Sequence, residues 1–265
     1  MTSIADVFAR CRSEKRAAFI PYLTGGDPDA TTSMELMRAL VRGGADLIEI
    51  GVPFSDPIAD GPTNQRAAKR ALDAGTDLAA VLALAARVRS ESEVPIVLFT
   101  YLNPLLSQGL ESFAEQAAKS GVNGVLCVDL PPDEAAREYL PVMRQQGIET
   151  VFLLAPTSTS QRIREVGAAS TGFVYYVSRT GVTGARDDIR SDLRAEVKRV
   201  RKRLKLPLAV GFGISTPDQV GEVGRMADGV VVGSALVRLI EGESDPDELP
   251  VAMELRVKEL VAALR

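Results

Sequence analysis

Apolar residues along this chain fall into two alternating patterns. The first is a short continuous run, often β-branched: Ala17 to Thr24, Leu47 to Val52, Ile96 to Tyr101, Gly124 to Val128, Thr150 to Leu154, Phe173 to Val177, Leu208 to Gly211 and Gly229 to Gly233. Such runs suit strands of a parallel sheet covered on both faces. The second is a longer stretch with apolar positions three and four apart. It predicts helices over 3–15, 30–43, 61–74, 77–90, 110–120, 133–146, 160–168 and 189–204, a helix from Thr216, a short helix over 234–241 and a last one over 250–264. Local chemistry agrees. Gly43-Gly44 is a C-terminal cap, and Thr216, Pro217 and Gln219 make a capping box with proline in the first turn. Pro141 belongs in the first turn of the regular part of its helix, because mid-helix it would break the hydrogen-bond ladder.

Eight strand–helix units in about 250 residues predict a (β/α)8 barrel, an α/β fold. It carries an extra N-terminal helix and a short helix after strand 8, and 1–265 reads as a single domain. The competing architecture, an open doubly wound sheet, usually shows a GxGxxG turn after its first strand. Here that turn is GGDP, Gly25 to Pro28.

Composition then narrows the chemistry. The chain contains no histidine, which removes Ser-His-Asp and Cys-His nucleophile systems and histidine-based metal sites. Its two cysteines, Cys11 and Cys127, lie far apart and read as reduced thiols. A net charge of −4 argues against a general nucleic-acid binder. No stretch reads as a signal peptide or membrane span, so a cytoplasmic protein without membrane contact is expected. The dense basic run Lys198 to Lys205 ends a predicted helix and reads as a solvated face.

Any general acid or base must therefore be Glu, Asp, Tyr, Lys or Cys. One carboxylate interrupts an apolar strand: Glu49, in LIEIGVPFSDPIADGPTNQ, Leu47 to Gln65. With side chains alternating, Glu49 shares a face with Leu47 and Gly51. Covered on both sides, it is held out of water, which is costly without a partner and raises its pKa. The loop that follows ends at a second acid, Asp60. Two carboxylates so placed suit acid–base work on one small substrate.

In such barrels the site is built from the loops after the strands. Gly211 to Ser215 (GFGIS) after strand 7 and Gly233-Ser234 after strand 8 offer unobstructed backbone amides and a helix N-terminus, a pattern that suits phosphate. Gly181 and Gly184, in the loop after strand 6, are further amide donors; each glycine alone is equally explained by a tight turn. The polar stretch Arg179 to Asp192 reads as a lid or as an ordinary surface loop. For Asp129 a turn or capping role competes with catalysis, for Asp56 a loop-shaping role is favoured, and Tyr175 is either a core tyrosine or a site residue.

With these residues in view, the chain resembles the alpha chain of tryptophan synthase nearly end to end. The most specific parts are IEIGVPFSDPIADGP, GFVYYVSRTGVTGAR, VGFGIST and VVVGSALV. The resemblance implies a (β/α)8 barrel that cleaves indole-3-glycerol phosphate to indole and glyceraldehyde 3-phosphate. It implies no cofactor in this chain, and an alpha2-beta2 complex with a beta chain that carries pyridoxal phosphate and receives the indole. By position, Glu49 and Asp60 match the catalytic acids and Tyr175 an active-site tyrosine. Tyr22, Thr183, Phe212 and Asn64 fall at substrate-binding positions, and Gly184, Gly213, Gly233 and Ser234 at the phosphate site. Asn64 is a departure, since the family usually has an aliphatic residue there. Three other readings share many of these motifs: a free-standing indole-3-glycerol phosphate lyase, another phosphate-binding barrel enzyme, and a non-catalytic activator of a beta chain.

Overall fold

Each apolar run forms a strand. In the computed structural model, which describes residues 2–178, 191–211, 213–242, 245 and 247–265, the strands are β1 (Ala18–Thr24), β2 (Ile48–Gly51), β3 (Ile96–Thr100), β4 (Gly124–Cys127), β5 (Glu149–Leu154), β6 (Val174–Val177), β7 (Leu208–Gly211) and β8 (Gly229–Val232). They pair in sequence order, all parallel, and β8 closes on β1. This is the (β/α)8 barrel the pattern predicts.

The helices follow at the expected places: α1 (Ile4–Ser13), α2 (Ala30–Gly43), α3 (Pro62–Asp73), α4 (Leu78–Glu91), α5 (Leu102–Gln108), α6 (Leu110–Lys119), α7 (Pro132–Ala135), α8 (Tyr139–Gln145), α9 (Ser160–Ala169), α10 (Ser191–Arg201), α11 (Pro217–Gly224), α12 (Ser234–Gly242) and α13 (Leu249–Ala262). Two details differ from the sequence reading. The stretch 133–146 is two short helices rather than one, and Pro141 sits in the first turn of the second, where its missing N–H costs nothing. The short helix α5 was not foreseen. It has no side-chain cap of its own at Tyr101, and its Leu102 N–H is instead satisfied by Asp129 Oδ1 at 2.8 Å, a partner from the next strand's loop.

Alternation along the strands separates two cores. Outward residues such as Phe19, Leu23, Ile50, Leu98, Val125, Tyr176, Val210 and Val230 pack under the helices. Inward residues, among them Ile20, Leu47, Val97, Leu126, Val151, Phe173 and Val231, fill the barrel. One end of that interior is plugged by α1, whose Ile4, Val7, Phe8 and Cys11 join the same cluster. The Phe8 and Phe173 rings lie 5.7 Å apart. Ser3 fixes the plug's start through a capping box with Asp6. With the N-terminal end closed in this way, the opposite end, where the strands finish, is left for a site.

Candidate active site

A cavity of about 530 Å³ opens at the C-terminal ends of the strands. Inward side chains of the barrel form its floor and walls: Tyr22 from β1, Glu49 from β2, Phe99 from β3, Val128 beyond β4, Leu153 from β5, Tyr175 and Val177 from β6, and Val231 from β8. The loop Ala59 to Asn64 lines one side, and Gly213 to Ser215, Gly233, Ser234 and Arg238 line another. Eight residues singled out from the sequence thus share one cavity: Glu49, Asp60, Tyr175, Tyr22, Asn64, Gly213, Gly233 and Ser234. Thr183, Gly184 and Phe212 lie outside the described residues, as do 179–190 of the stretch read as a lid.

Glu49 is 1% exposed, and its Oε1 has no hydrogen-bond partner among the described residues. Burial alone pushes its carboxyl up to about 8, so it holds a proton at neutral pH. Two other buried acids are treated differently. Asp46 accepts from Arg16 at 2.6 and 2.9 Å, from Arg10 at 2.7 Å and from the Phe19 amide at 2.9 Å. Asp27 is gripped by both arms of Arg70 at 2.8 Å. Those acids are structural, with their charges compensated. Glu49 is left uncompensated beside open space, the arrangement that pKa tuning for acid–base work requires.

Asp60 is also raised by burial, and the Tyr101 hydroxyl and the Asn64 amide pull it back towards the ionised form. Tyr101 donates to Asp60 Oδ2 at 2.8 Å and accepts from the Ala59 N–H at 3.0 Å, so one hydroxyl holds both the acid and its loop. The Tyr101 ring in turn packs on Phe54 at 5.2 Å. From the sequence Tyr101 was only a residue at the end of strand 3.

The two cavity tyrosines need room that glycine supplies. A Cβ on Gly211 would lie 2.7 Å from Tyr175 Cζ, and one on Gly51 would lie 2.7 Å from Tyr22 Cζ. Tyr22 hydrogen-bonds Thr24 at 3.2 Å and meets Phe99 edge-on at 5.2 Å. Burial raises both phenols, with the Glu49 and Asp60 carboxylates adding to it, so both stay protonated.

At the far side, Gly213 has a φ of +76°, a conformation that side chains resist. The Gly233 carbonyl accepts from Leu236 and Val237 at 2.8 and 3.1 Å, which makes Gly233 the start of α12. The first N–H groups of a helix have no intrahelical acceptor, and Gly233 and Ser234 at this helix's start line the cavity. Arg238, one turn along α12, adds a positive charge to the lining. Sequence reasoning missed it, although its spacing of four from Ser234 puts both on one helix face.

Residues that fall elsewhere are accounted for. Asp129 serves the α5 N–H and accepts a 3.4 Å contact from Cys127, a turn role. Asp56 is exposed and held by the Ser55 hydroxyl at 2.5 Å. In the basic run, Arg199 donates to the Ser158 and Pro156 carbonyls and Arg201 pairs with Asp228 at 2.6 Å, so part of that face ties α10 to its neighbours. Among the described residues no helix is long and apolar enough to cross a membrane.

Known proteins with this arrangement decide the family. The family described as tryptophan synthase alpha chain matches residues 8–264. The chain belongs to that family. The tryptophan synthase alpha chain of Solibacter usitatus is 52% identical over 260 residues, covering 98% of this chain and 97% of the relative. That of Opitutus terrae is 45% identical over 266 residues, with 100% of both chains covered. Among solved structures, tryptophan synthase subunit alpha from Legionella pneumophila superposes with a TM-score of 0.91 at 34% identity, covering 100% of this chain and 98% of that one. A tryptophan synthase structure from Mycobacterium tuberculosis gives 0.90 at 39% identity, covering 100% and 99%. Membership of the tryptophan synthase alpha chain family makes a lyase step in tryptophan biosynthesis this chain's activity.

Proposed function

We propose that this chain cleaves indole-3-glycerol phosphate to indole and glyceraldehyde 3-phosphate, with Glu49 as the proton carrier. The observation that carries the reading is the buried, uncompensated Glu49 carboxyl facing the same cavity as Asp60. Cleavage breaks the bond between indole C3 and the adjacent carbinol carbon. C3 must gain a proton and the carbinol hydroxyl must lose one. A carboxyl with a pKa of about 8 starts protonated and gives its proton to C3. The ring nitrogen then carries positive charge, and ionised Asp60 stabilises it. Glu49, now a carboxylate, takes the hydroxyl proton as the carbonyl forms and the C–C pair returns to the ring. It ends protonated, as it began.

The remaining lining supports the same substrate. Tyr22, Phe99, Leu153 and Tyr175 offer an apolar, aromatic enclosure for indole. The amides of Gly213, Gly233 and Ser234 suit the phosphate, with the helix dipole of α12 behind them; Gly184, Thr183 and Phe212 are assigned to the same substrate by resemblance. No step calls for a cofactor in this chain. The same reading gives the chain a beta chain carrying pyridoxal phosphate as partner, in an alpha2-beta2 assembly in the cytoplasm, so that indole passes to the next enzyme without release.

Lyase turnover is the test. The purified chain should release indole from indole-3-glycerol phosphate slowly alone and considerably faster with a beta chain. Full speed alone would favour a free-standing lyase. No cleavage under either condition would leave the chain an activator only.

A further inference from the structure

Four charged side chains, Asp27, Arg66, Arg70 and Glu241, tie two walls of the cavity together from behind. Arg66 and Arg70 lie one turn apart on α3, and Glu241 lies in the last turn of α12. Arg66 donates through Nε and Nη2 to the two Glu241 oxygens at 2.8 and 2.9 Å, and Arg70 Nη1 donates to Glu241 Oε1 at 3.0 Å. The rest of the Arg70 guanidinium holds the fully buried Asp27, in the turn after β1. Hydrogen bonds, from Arg66 first and then Arg70, hold the Glu241 carboxyl down to about 2, so it is charged at neutral pH. Among the described residues, every hydrogen bond between α3 and α12 ends on Glu241. Both helices begin at the cavity: Gly61 to Asn64 line it at the start of α3, and Gly233 and Ser234 at the start of α12. Asp60 is carried by α3, because the Gln65 side-chain amide donates to its carbonyl at 2.9 Å. At 1.5 Å of rise per residue, Glu241 is about 10 Å behind Ser234 and Arg70 about 12 Å behind Pro62. None of the four charged side chains lines the cavity. They hold α3 against α12, and with them the span from Asp60 to the amides of Gly233 and Ser234.

We propose that Glu241, acting through Arg66 and Arg70, is a positioning residue: it sets the distance between Asp60 and the start of α12, so that one ligand is held at its ring end and its phosphate end together. This rests on the lyase reading above and deepens it. The substrate of that reading carries its ring and its phosphate on one short chain. Gripping both ends strengthens binding only when the spacing of the two grips matches the spacing of the ends. A ligand with one end alone has no use for the match.

The test compares three ligands on the whole chain by calorimetry: an indol-3-yl alkyl phosphate, which has both ends, and indole and glycerol 3-phosphate, which have one each. Glu241→Ala cuts α12 from α3 and leaves Asp27 paired with Arg70, so no buried charge loses its partner. It should weaken the two-ended ligand roughly tenfold and leave each one-ended ligand within about twofold of wild type. The KM for indole-3-glycerol phosphate should rise by a similar factor with kcat held within about threefold, since the grip is made before the chemistry. Arg66→Met removes two of the three hydrogen bonds and replaces the alanine variant if that one fails to fold. Equal weakening of all three ligands, or no change in any, overturns the inference and leaves the lyase reading standing. So does a loss for glycerol 3-phosphate as large as that for the two-ended ligand, which would mean that the network acts through charge on the phosphate. Wild type that binds the two-ended ligand no more tightly than the one-ended ones would overturn both.

Discussion

The barrel has two ends, and each holds an unmatched acid on the inward face of a strand. Glu49 in β2 lies at the mouth, and Glu149 in β5 at the plugged base. Register links them: Glu49 pairs with Val97, Val97 with Gly124 and Gly124 with Glu149. Strands about 4.8 Å apart and tilted by about 36° lose height at each such step, roughly 8 Å over three. The same register row therefore starts in the cavity and ends under α1. A Cβ on Gly172 would be 3.3 Å from both Glu149 Oε2 and Ile4 Cδ1, which puts Glu149 beside the plug. Both acids have a buried oxygen without a partner among the described residues, and burial raises Glu49 to about 8 and Glu149, with Asp6 adding to it, to about 7. A perturbed carboxyl is thus not enough to locate a site. What separates the two is company: Asp60 in the same cavity, two tyrosines, glycine turns and 530 Å³ of space at the mouth, against Asp6 and the packed aliphatic and aromatic side chains of the plug at the base.

The largest expected effect breaks the symmetry outright. Glu49→Gln keeps the size and loses the proton, so kcat for indole release should fall by roughly 10³ to 10⁴. Glu149→Gln should leave indole release within a factor of two of wild type; a large loss there would show that the base takes part. The pH profile carries the same distinction. Glu49 must start protonated, so the rate should decline as pH rises through about 8. Asp60 must be ionised, so the rate should decline again towards acid pH. A profile flat from pH 7 to pH 9 would remove Glu49 as the proton donor.

Next in size is Tyr101. Tyr101→Phe frees Asp60 and the Ala59 amide together. About a tenfold loss in kcat is expected, larger than the change in KM, because the acid's charge matters most when the ring nitrogen becomes positive. An equal rise in KM with kcat intact would mean that Tyr101 only shapes the pocket.

At the base the expected effect is on stability. Glu149 has a folded pKa near 7, above its usual 4.5. Its contribution is fully present below the unfolded value and is lost as pH rises through about 7. Glu149→Gln should therefore be close to neutral at pH 4 and stabilising at pH 8, by about 1–2 kcal/mol after allowing for the solvent that reaches this half-buried side chain. Melting curves at the two pH values test this. A variant less stable than wild type at pH 8 would show that Glu149 has a partner when charged.

The sequence carried much of this asymmetry. Glu49 was visible because it broke an otherwise apolar run between Leu47 and Val52, and Asp60 because it ended the loop behind it. The glycine turns after strands 7 and 8 stood out only as a set, because each glycine alone is equally explained by a tight turn. Glu149 was not visible, since the apolar run begins at Thr150 and the acid lies just outside it, although Glu149, Val151 and Leu153 alternate just as Leu47, Glu49 and Gly51 do. Arg238 was missed although its spacing from Ser234 places both on one face of α12. Tyr101 was hidden for another reason: its role comes from the three-dimensional path of the 54–60 loop, which no periodicity encodes. Helix α5 was missed for a related reason, because its first amide is satisfied by Asp129, 27 residues away.

The smallest expected effect concerns how a partner would act on the mouth. The loop between the two acids presents Ile58, 87% exposed, with Asp56 also exposed beside it. Its inner side is anchored: Phe54 packs on Tyr101, and Tyr101 holds Ala59 and Asp60. A beta chain resting on Ile58 and Asp56 would press on the segment that ends at Asp60, the acid proposed to stabilise the ring nitrogen. Docking and the productive setting of Asp60 would then favour each other, and by linkage a bound substrate analogue should tighten the partner as much as the partner tightens the analogue. Asp56→Ala and Ile58→Ala should each reduce the activation produced by a beta chain by roughly two- to fivefold, a coupling of about 1 kcal/mol or less, and should reduce basal cleavage by less than that. Leu255, 61% exposed on α13, serves as the control: Leu255→Ala should leave both rates unchanged. The measurement is indole release with and without a beta chain for all three variants. Equal losses of basal and activated rates at Asp56 and Ile58 would mean that the loop merely builds the site, and that the partner acts through some other part of the mouth.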